Sequence, residues 1–368
     1  MSDILIAGGG PAGAAAAIAL VQAGREVTLL EREEVPGHKI CGEFVSGETR
    51  NYLTALGMDL RALGGHRITH VRLARGAKTM TARLPFEGVG LTRKVLDGAM
   101  LEHAVASGVM VRRGVTVRKI TGIEVETSQN EMLRPHSLLL ATGKHEARGA
   151  ARAGRPGGTV GFKNYFSLSP AQTAAMAHHV ELIIFPGGYA GLELVETGEA
   201  NFSLLIDARE LRQLGGKWEN LLEYLQTSSP HLAMRLSGAQ AMLAAPLTIA
   251  RVPYGFLHRP SRDDPPRRFR LGDQAAVIQS FTGDGMAIAL HSAALAARHV
   301  LAAHDSRIYH RALARGIAGQ MHRANALHAA LTAPVLGPAL FAAAQWFPEM
   351  VTLAASLTRI PAPIRLAS

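Results

Sequence analysis

The sequence predicts an α/β chain, α+β overall: a doubly wound domain interrupted by an antiparallel β-sheet domain, with a helical C-terminal region. Three observations predict it. A strand, a glycine turn, a helix and a second strand follow one another within residues 4–31, the order of a parallel βαβ unit. From 160 to 206, short alternating segments are separated by Gly-Gly, Pro-Gly and Thr-Gly turns, an antiparallel signature. From 269, an apolar strand returns and a long helix follows it. At 368 residues the chain has the length of about two domains, and its 48% hydrophobic and 18% charged content fits large buried layers.

Each element follows from local pattern. Ile4-Leu5-Ile6-Ala7 is a short apolar strand. Gly8-Gly9-Gly10-Pro11-Ala12-Gly13 turns the chain, and 14–23 is an alanine-rich helix closed by Gly24. Residues 26–31 form the second strand. Residues 35–47 hold Pro, Gly and polar side chains and read as a loop, and 48–56 reads as a helix stopped by Gly57. The pattern then suggests strands over 70–84, a helix over 93–107, a strand at 109–111 and one or two strands over 115–125. The run Ser137-Leu138-Leu139-Leu140-Ala141 predicts a strand buried in the central sheet. Residues 216–227 read as a helix, 260–268 as a Pro- and charge-rich connector, 269–273 as a returning strand and 285–304 as a long helix. These transitions assign 1–70, 93–159 and 269–310 to the doubly wound domain. They assign 71–92 and 160–268 to the sheet domain, and 311–368 to the helical region.

The glycine spacing carries chemistry. Gly8-x-Gly10-x-x-Gly13 stands directly between a strand and a helix. Gly8 permits the tight turn, Gly10 lets a pyrophosphate approach the backbone, and Gly13 lets helix and strand pack closely. The helix start offers free N–H groups and partial positive charge to phosphates, and Pro11, with no N–H, is tolerated there. Glu31 ends the second strand. A carboxylate there accepts hydrogen bonds from the ribose hydroxyls of an adenosine and repels a 2′-phosphate. The expected ligand is a dinucleotide without that phosphate.

Composition narrows the remaining classes. Lys and Arg number 39 against 29 Asp and Glu, a net charge of +10, but the basic residues are scattered and aromatics are only 5%. That pattern does not indicate a nucleic-acid partner. One cysteine, Cys41, allows neither an internal disulfide nor a cysteine-based zinc site, and the 16 histidines lack His-Glu-x-x-His spacing, so no metal is expected. A reducing, cytoplasmic setting is expected, because the first strand begins at Asp3 and leaves no room for a signal peptide. The most apolar stretch, 326–347, is broken by His328, Pro334, Gly337, Pro338 and Gln345 and reads as short helices. The apolar stretch 327–357, with Arg359 and Arg365 after it, offers either a lid on the core or a peripheral membrane contact.

Near the other end, Arg270-Leu271-Gly272-Asp273-Gln274 follows an apolar strand, and Phe281-Thr282-Gly283-Asp284-Gly285-Met286 opens a long helix. With the N-terminal fingerprint, these segments resemble the FAD-dependent oxidoreductases of the p-hydroxybenzoate hydroxylase fold, and among them the geranylgeranyl reductase-like branch. The resemblance implies a Rossmann-like FAD-binding domain interrupted by an antiparallel β-sheet substrate domain, with FAD as cofactor. It places Gly8, Gly10, Pro11, Ala12 and Gly13 at the diphosphate, and Glu31 and Arg32 at the adenosine end. It places Gly272 and Asp273 at the ribityl chain. Gly283, Gly285 and Met286 would aim a helix start at the flavin's pyrimidine edge, where reduced flavin carries negative charge. Arg93 resembles a family arginine that contacts the cofactor, Thr142-Gly143 the strand end near the adenosine, and Val117 the region packed on the adenine. Gly37-His38-Lys39-Ile40-Cys41-Gly42-Glu43 resembles the Lys-x-Cys-Gly stretch that approaches the flavin in the reductase branch. Cys41 and Lys39 are therefore the candidate catalytic residues, and Cys41 and Gly42 also candidate cofactor contacts.

No second Gly-x-Gly-x-x-Gly follows a strand, so the electron donor, NAD(P)H or a reduced carrier, is expected to come from outside. The reductases carry an aromatic and a Trp ahead of Phe-Pro, where this chain has Glu181 and Ile183 before Phe185-Pro186. The strand end Ala141-Thr142-Gly143-Lys144-His145 lacks the Asp-Gly motif that aromatic hydroxylases carry at a comparable place, and the Gly-x-Trp-x-x-x-Pro motif of flavin halogenases is absent. Three readings stay open, in this order. The first is hydride transfer to or from a carbon–carbon double bond. The second is hydroxylation or epoxidation through a flavin C4a-hydroperoxide. The third is a flavin-bearing binding or electron-transfer protein. The first two call for a small apolar substrate (isoprenoid, lipid or polyketide) in a dry pocket.

Overall fold

Five short strands lie parallel in the order Arg268–Arg270, Ser137–Leu140, Ile4–Ala7, Val27–Leu30 and Met110–Arg112. The computed structural model describes residues 3–153 and 157–360; Arg365, with the rest of 361–368, lies outside the described residues. Strand side chains alternate between two cores. Ile4, Ile6, Leu29, Leu139 and Phe269 enter the core built with the helices Pro11–Gln22, Arg93–Ala106 and Gly285–Leu301. Leu5, Ala7, Leu30, Leu138 and Leu140 enter a second core under a three-stranded sheet, Val117–Thr121, Glu124–Thr127 and Met132–Leu133. Burial on both faces is why these strands read as unbroken apolar runs. Alanines dominate Pro11–Gln22 because that helix is buried between the sheet and Gly285–Leu301.

The second layer is a nine-stranded sheet. Its order is Gln240–Ala241, Thr159–Ser167, Ala200–Asp207, Gly188–Leu194, His179–Phe185, His66–Arg75, Lys78–Gly90 and Phe44–Val45, with Leu247–Ala250 paired beside Thr159–Ser167. The sheet is mixed where the sequence predicts an antiparallel one: His179–Phe185 runs parallel to His66–Arg75. These two strands come from separate hairpins far apart in sequence, so no tight turn dictates their direction. The strand His66–Arg75 also crosses position 70, where the sequence suggests a boundary. Phe44–Val45, expected as loop, pairs with Gly90 and Val89, a partner that local pattern cannot reveal.

One face of this sheet, through Ile183, Phe185, Ala190, Leu192, Phe202 and Leu204, packs on Leu211, Leu221, Leu225 and Leu232 of three short helices. The opposite face meets the C-terminal helices Ser306–Thr332, Leu336–Trp346 and Glu349–Leu357: Leu73, Met80 and Ala82 bury Phe341 and Ala344. The first of these helices stops because Pro334 forces Ala333 into an extended conformation (ψ 134°). The chain bends there by 100°. Among the described residues no single helix is long and apolar enough to cross a membrane.

Glu181 shows how the sheet tolerates a buried charge. It sits on the helix-packed face, fully buried, with His231 Nε2 at 2.7 Å, Arg235 Nη2 at 2.9 Å and Arg72 Nη1 at 2.5 Å. Burial alone would raise this carboxyl, but hydrogen bonds and charge from His231 and Arg235 outweigh it and hold it at about 2. Glu181→Ala should cost about 3–5 kcal/mol by leaving buried cations unpaired, read from urea unfolding at neutral pH. A free glutamate titrates near 4.5. The stabilisation is therefore complete above that pH and fades as pH falls from there toward about 2 in the wild type, but not in the variant.

Candidate active site

The glycine turn works by close approach. Gly8 has φ +109°, and a Cβ on it would meet the Ala141 carbonyl oxygen at 2.4 Å. A Cβ on Gly13 would meet the Gly8 oxygen at 1.9 Å, so strand and helix touch there. Gly10 differs: a Cβ on it would meet only Arg93 Nη2, at 3.4 Å, and no side chain caps the helix start behind it. The free N–H groups of Pro11–Gln22 therefore open into a cavity. Glu31 is already oriented toward that end, with Oε2 accepting from Gly9 N at 2.7 Å and Oε1 from Glu33 N at 3.0 Å.

The cavity has a volume of about 930 Å³. It runs from Glu31, Arg32 and Val117 past Gly8, Gly10, Pro11 and Ala12, and past Thr142 and Gly143. It continues by Gly272 and Asp273 to Gly283, Gly285 and Met286. Arg93, Lys39, Cys41 and Gly42 border it as well. Of the sequence-predicted residues only Gly13 stands behind the wall, packed on Gly8. A second helix start faces the space at Gly285, where an added Cβ would meet nothing within 4 Å. Two uncapped helix starts, a ribose-type carboxylate and a long slot fit FAD. Pro11–Gln22 would hold the diphosphate, Glu31 the adenosine ribose, and Gly283–Met286 the flavin's pyrimidine edge.

Beside the slot lies a buried charged cluster: His38 and Glu43 of the 37–43 stretch are possible acid/base groups by sequence, whereas Lys163 and Tyr165, which join them from the large sheet, were not read there. Glu43, buried and at φ +61°, accepts from Lys163 Nζ at 2.7 Å, Arg93 N at 2.8 Å and Tyr165 OH at 2.8 Å. Tyr165 OH also meets His38 Nδ1 at 3.0 Å; because the tyrosine proton goes to Glu43, His38 Nδ1–H is the donor. Burial raises the Glu43 carboxyl and lowers the Lys163 ammonium, while each partner's charge opposes that drift. Burial, then the Lys163 charge, lowers His38. Arg93 is engaged by Asp97 through two hydrogen bonds, at 2.7 and 2.8 Å. Cys41 Sγ accepts from Glu43 N at 3.3 Å, which folds the loop back over this cluster.

The ammonium of Lys39 is paired with Glu33 at 2.5 Å, and its carbonyl accepts from Lys163 Nζ at 3.0 Å. The ammonium buried beneath the Cys41 loop is thus that of Lys163 rather than Lys39. One signal was available: Lys163 interrupts an apolar strand, and such a lysine is almost never fully buried unless paired. Nothing local says which face it takes. Asp284 was also unread. It is fully buried, with Arg359 Nη1 at 2.8 Å, and burial pushes it up to about 7 against the pull of Arg359. That pair ties the end of the C-terminal helices to the helix start at Gly285.

Comparison with known proteins agrees with this frame. A family model described as FAD dependent oxidoreductase matches residues 3–134. The flavin-dependent halogenase armH2 of Armillaria mellea is 34% identical over 146 residues, which cover 37% of this chain and 27% of the halogenase. Digeranylgeranylglycerophospholipid reductase 2 of Methanosphaera stadtmanae is 26% identical over 313 residues, 79% of this chain and 75% of that protein. Among solved structures, the flavin-dependent brominase Bmp2 superposes with a TM-score of 0.81 at 17% identity, covering 97% of this chain and 93% of that one.

The Glu31 carboxylate offers a direct check on the adenosine end. Glu31→Ala should weaken FAD binding roughly tenfold, the loss of one or two hydrogen bonds of about 1 kcal/mol each. Riboflavin, which lacks the adenosine, should bind equally to both forms in a fluorescence titration. The family model matched over residues 3–134, the shared fold and a slot lined by two open helix starts agree on an FAD-binding frame.

Proposed function

We propose that the protein reduces a carbon–carbon double bond of an apolar, isoprenoid-like substrate. One observation carries the reading: past the helix start at Gly285 the cavity continues into an apolar chamber. Val71, Leu73, Leu84, Leu182 and Ile184 of the large sheet form its floor, and Leu340, Phe341 and Val351 of the C-terminal helices form its roof. Such a lining selects an apolar substrate by burial and excludes water. The likeness to a digeranylgeranylglycerophospholipid reductase over 79% of this chain supports the same substrate class.

FAD, when bound, supplies the electron pair and one hydrogen; the protein positions, desolvates and protonates. Electrons reach it from NAD(P)H or a reduced carrier. The chamber walls hold the chain of the substrate, and the Cys41–Gly42 loop sits at the polar end beside the Glu43–Lys163 pair. A digeranylgeranylglycerophospholipid in detergent, mixed without oxygen with dithionite-reduced enzyme, should yield saturated product as the flavin absorbance returns. Product that forms only after an oxygen pulse would replace this reading with monooxygenation.

The outer side of the same roof carries Trp346, Phe347, Leu353 and Leu357, all exposed, with Trp346 83% accessible. The inner side of these helices lines the chamber. We propose that this face rests on a lipid surface and draws substrate from it. The wild type should float with anionic liposomes. Trp346→Ser combined with Phe347→Ser should remain in the soluble fraction while keeping its FAD absorbance.

A further inference from the structure

The register of the large sheet lines up two rows of side chains across its cavity face. One row is Tyr165, Asn201, Glu193, Val180 and Val71; the next is Lys163, Ser203, Gly191, Leu182 and Leu73. Directly opposed residues on neighbouring strands stand roughly 4.5–5.5 Å apart. Each row therefore runs from the buried charged cluster to the apolar chamber. Glu193 is the last polar residue of its row and stands at that junction. Beside it the sheet floor is open, since Gly191 has no side chain and Ser203 a short one. The Cys41–Gly42 loop lies above, because Asn201 Nδ2 donates to Gly42 O at 2.7 Å.

Glu193 is buried, lines the cavity, and its Oε1 has no hydrogen-bond partner; the Oδ1 of its cross-strand neighbour Asn201 also has none. The Asn201 side chain reaches the carboxyl, but Oε1 itself has no donor, and a buried carboxylate oxygen without one is a costly place for full negative charge that a proton relieves. Charge balance gives the same answer. The groups that face Glu193 are Glu43 and Cys41 from the loop and Lys163 from the neighbouring row. The Lys163 ammonium is 2.7 Å from Glu43, and Arg93 is matched by Asp97. Among the described residues that face Glu193, no cation remains for a second carboxylate.

We propose that Glu193 is the catalytic acid of this site, a neutral carboxylic acid that protonates the substrate double bond. This rests on the reductase reading above. One alkene carbon receives a hydrogen with its electron pair from reduced FAD. The other forms a C–H bond as the Glu193 O–H bond breaks, and the π bond is consumed. The carboxylate left behind regains its proton from solvent once the product leaves. Burial first, then the neighbouring Glu43 charge, raises the carboxyl well above the ordinary range, which favours the protonated form.

Two measurements test it. Infrared spectra of the oxidised FAD-loaded protein at neutral pH should contain a protonated carboxyl band, shifted in D₂O, that persists in Asp284→Asn and is missing from Glu193→Gln. In anaerobic single turnovers of the digeranylgeranylglycerophospholipid, Glu193→Gln should slow flavin reoxidation at least 100-fold. Glu193→Asp should recover part of that rate. FAD content and melting temperature should be unchanged in Glu193→Gln, because amide and neutral acid are nearly isosteric. The wild-type rate should decline at alkaline pH and the variant rate should not. Absence of the band, or wild-type turnover by Glu193→Gln, overturns the acid role while leaving the reductase reading intact. A wild type that makes no product without oxygen overturns the reductase reading and the acid role with it, even if the band is present.

Discussion

The pairing of Glu43 with Lys163 joins the two halves of this molecule. Glu43 belongs to the loop that leaves the nucleotide sheet, and Lys163 to the middle of the large sheet. Both are fully buried, and taking two charges out of water costs several kcal/mol per ion. The arrangement persists because the carboxylate is saturated: Lys163, Tyr165 and the Arg93 amide all donate to it. Its backbone lies in the left-handed region, a strain of about 1–3 kcal/mol for a residue with a side chain. Contacts on both sides hold it there, since its carbonyl accepts from Leu91 N and its amide reaches Cys41 Sγ.

That junction decides where polarity stops. On the nucleotide side the cavity is walled by backbone amides, helix starts and Glu31, all suited to phosphate and sugar. On the other side it is walled by aliphatic side chains that offer no hydrogen bonds. The Cys41–Gly42 loop and the row through Asn201 and Glu193 stand between the two. The polar and apolar parts of the cavity thus meet only at this line, where the protein keeps its ionisable groups dry.

The C-terminal helices complete the chamber through contacts that are long in sequence and few in kind. Thr352 Oγ1 donates to Arg83 O at 2.8 Å, and Phe341 and Ala344 bury against Leu73, Met80 and Ala82. Arg359 lies over the Phe86 ring at 5.0 Å and reaches Asp284 beneath. Phe86, Arg359 and Asp284 together hold the roof to the helix start that faces the flavin position. The first of the three helices is anchored separately, through Tyr309, Leu313, Ile317 and Met321 buried in the nucleotide-side core.

The sequence by itself determined the nucleotide half. Unbroken apolar runs, the alanine-rich helix, glycine spacing and the acid at position 31 are local properties, and they specify strand, turn and helix without reference to distant residues. The returning strand at 268–270 and the helix start after Gly283 were legible for the same reason. The tertiary structure alone decided the parallel seam between His66–Arg75 and His179–Phe185, and the short strand at Phe44. It also decided which face Lys163, Glu181 and Glu193 take. A strand pattern marks two faces but does not say which one meets helices and which one meets a cavity, and shifting the register by one residue exchanges them. Glu181 and Glu193 both interrupt apolar strands in sequence. Packing turned one toward Arg72 and Arg235, where it is ionised, and left the other facing the cavity without a cation of its own.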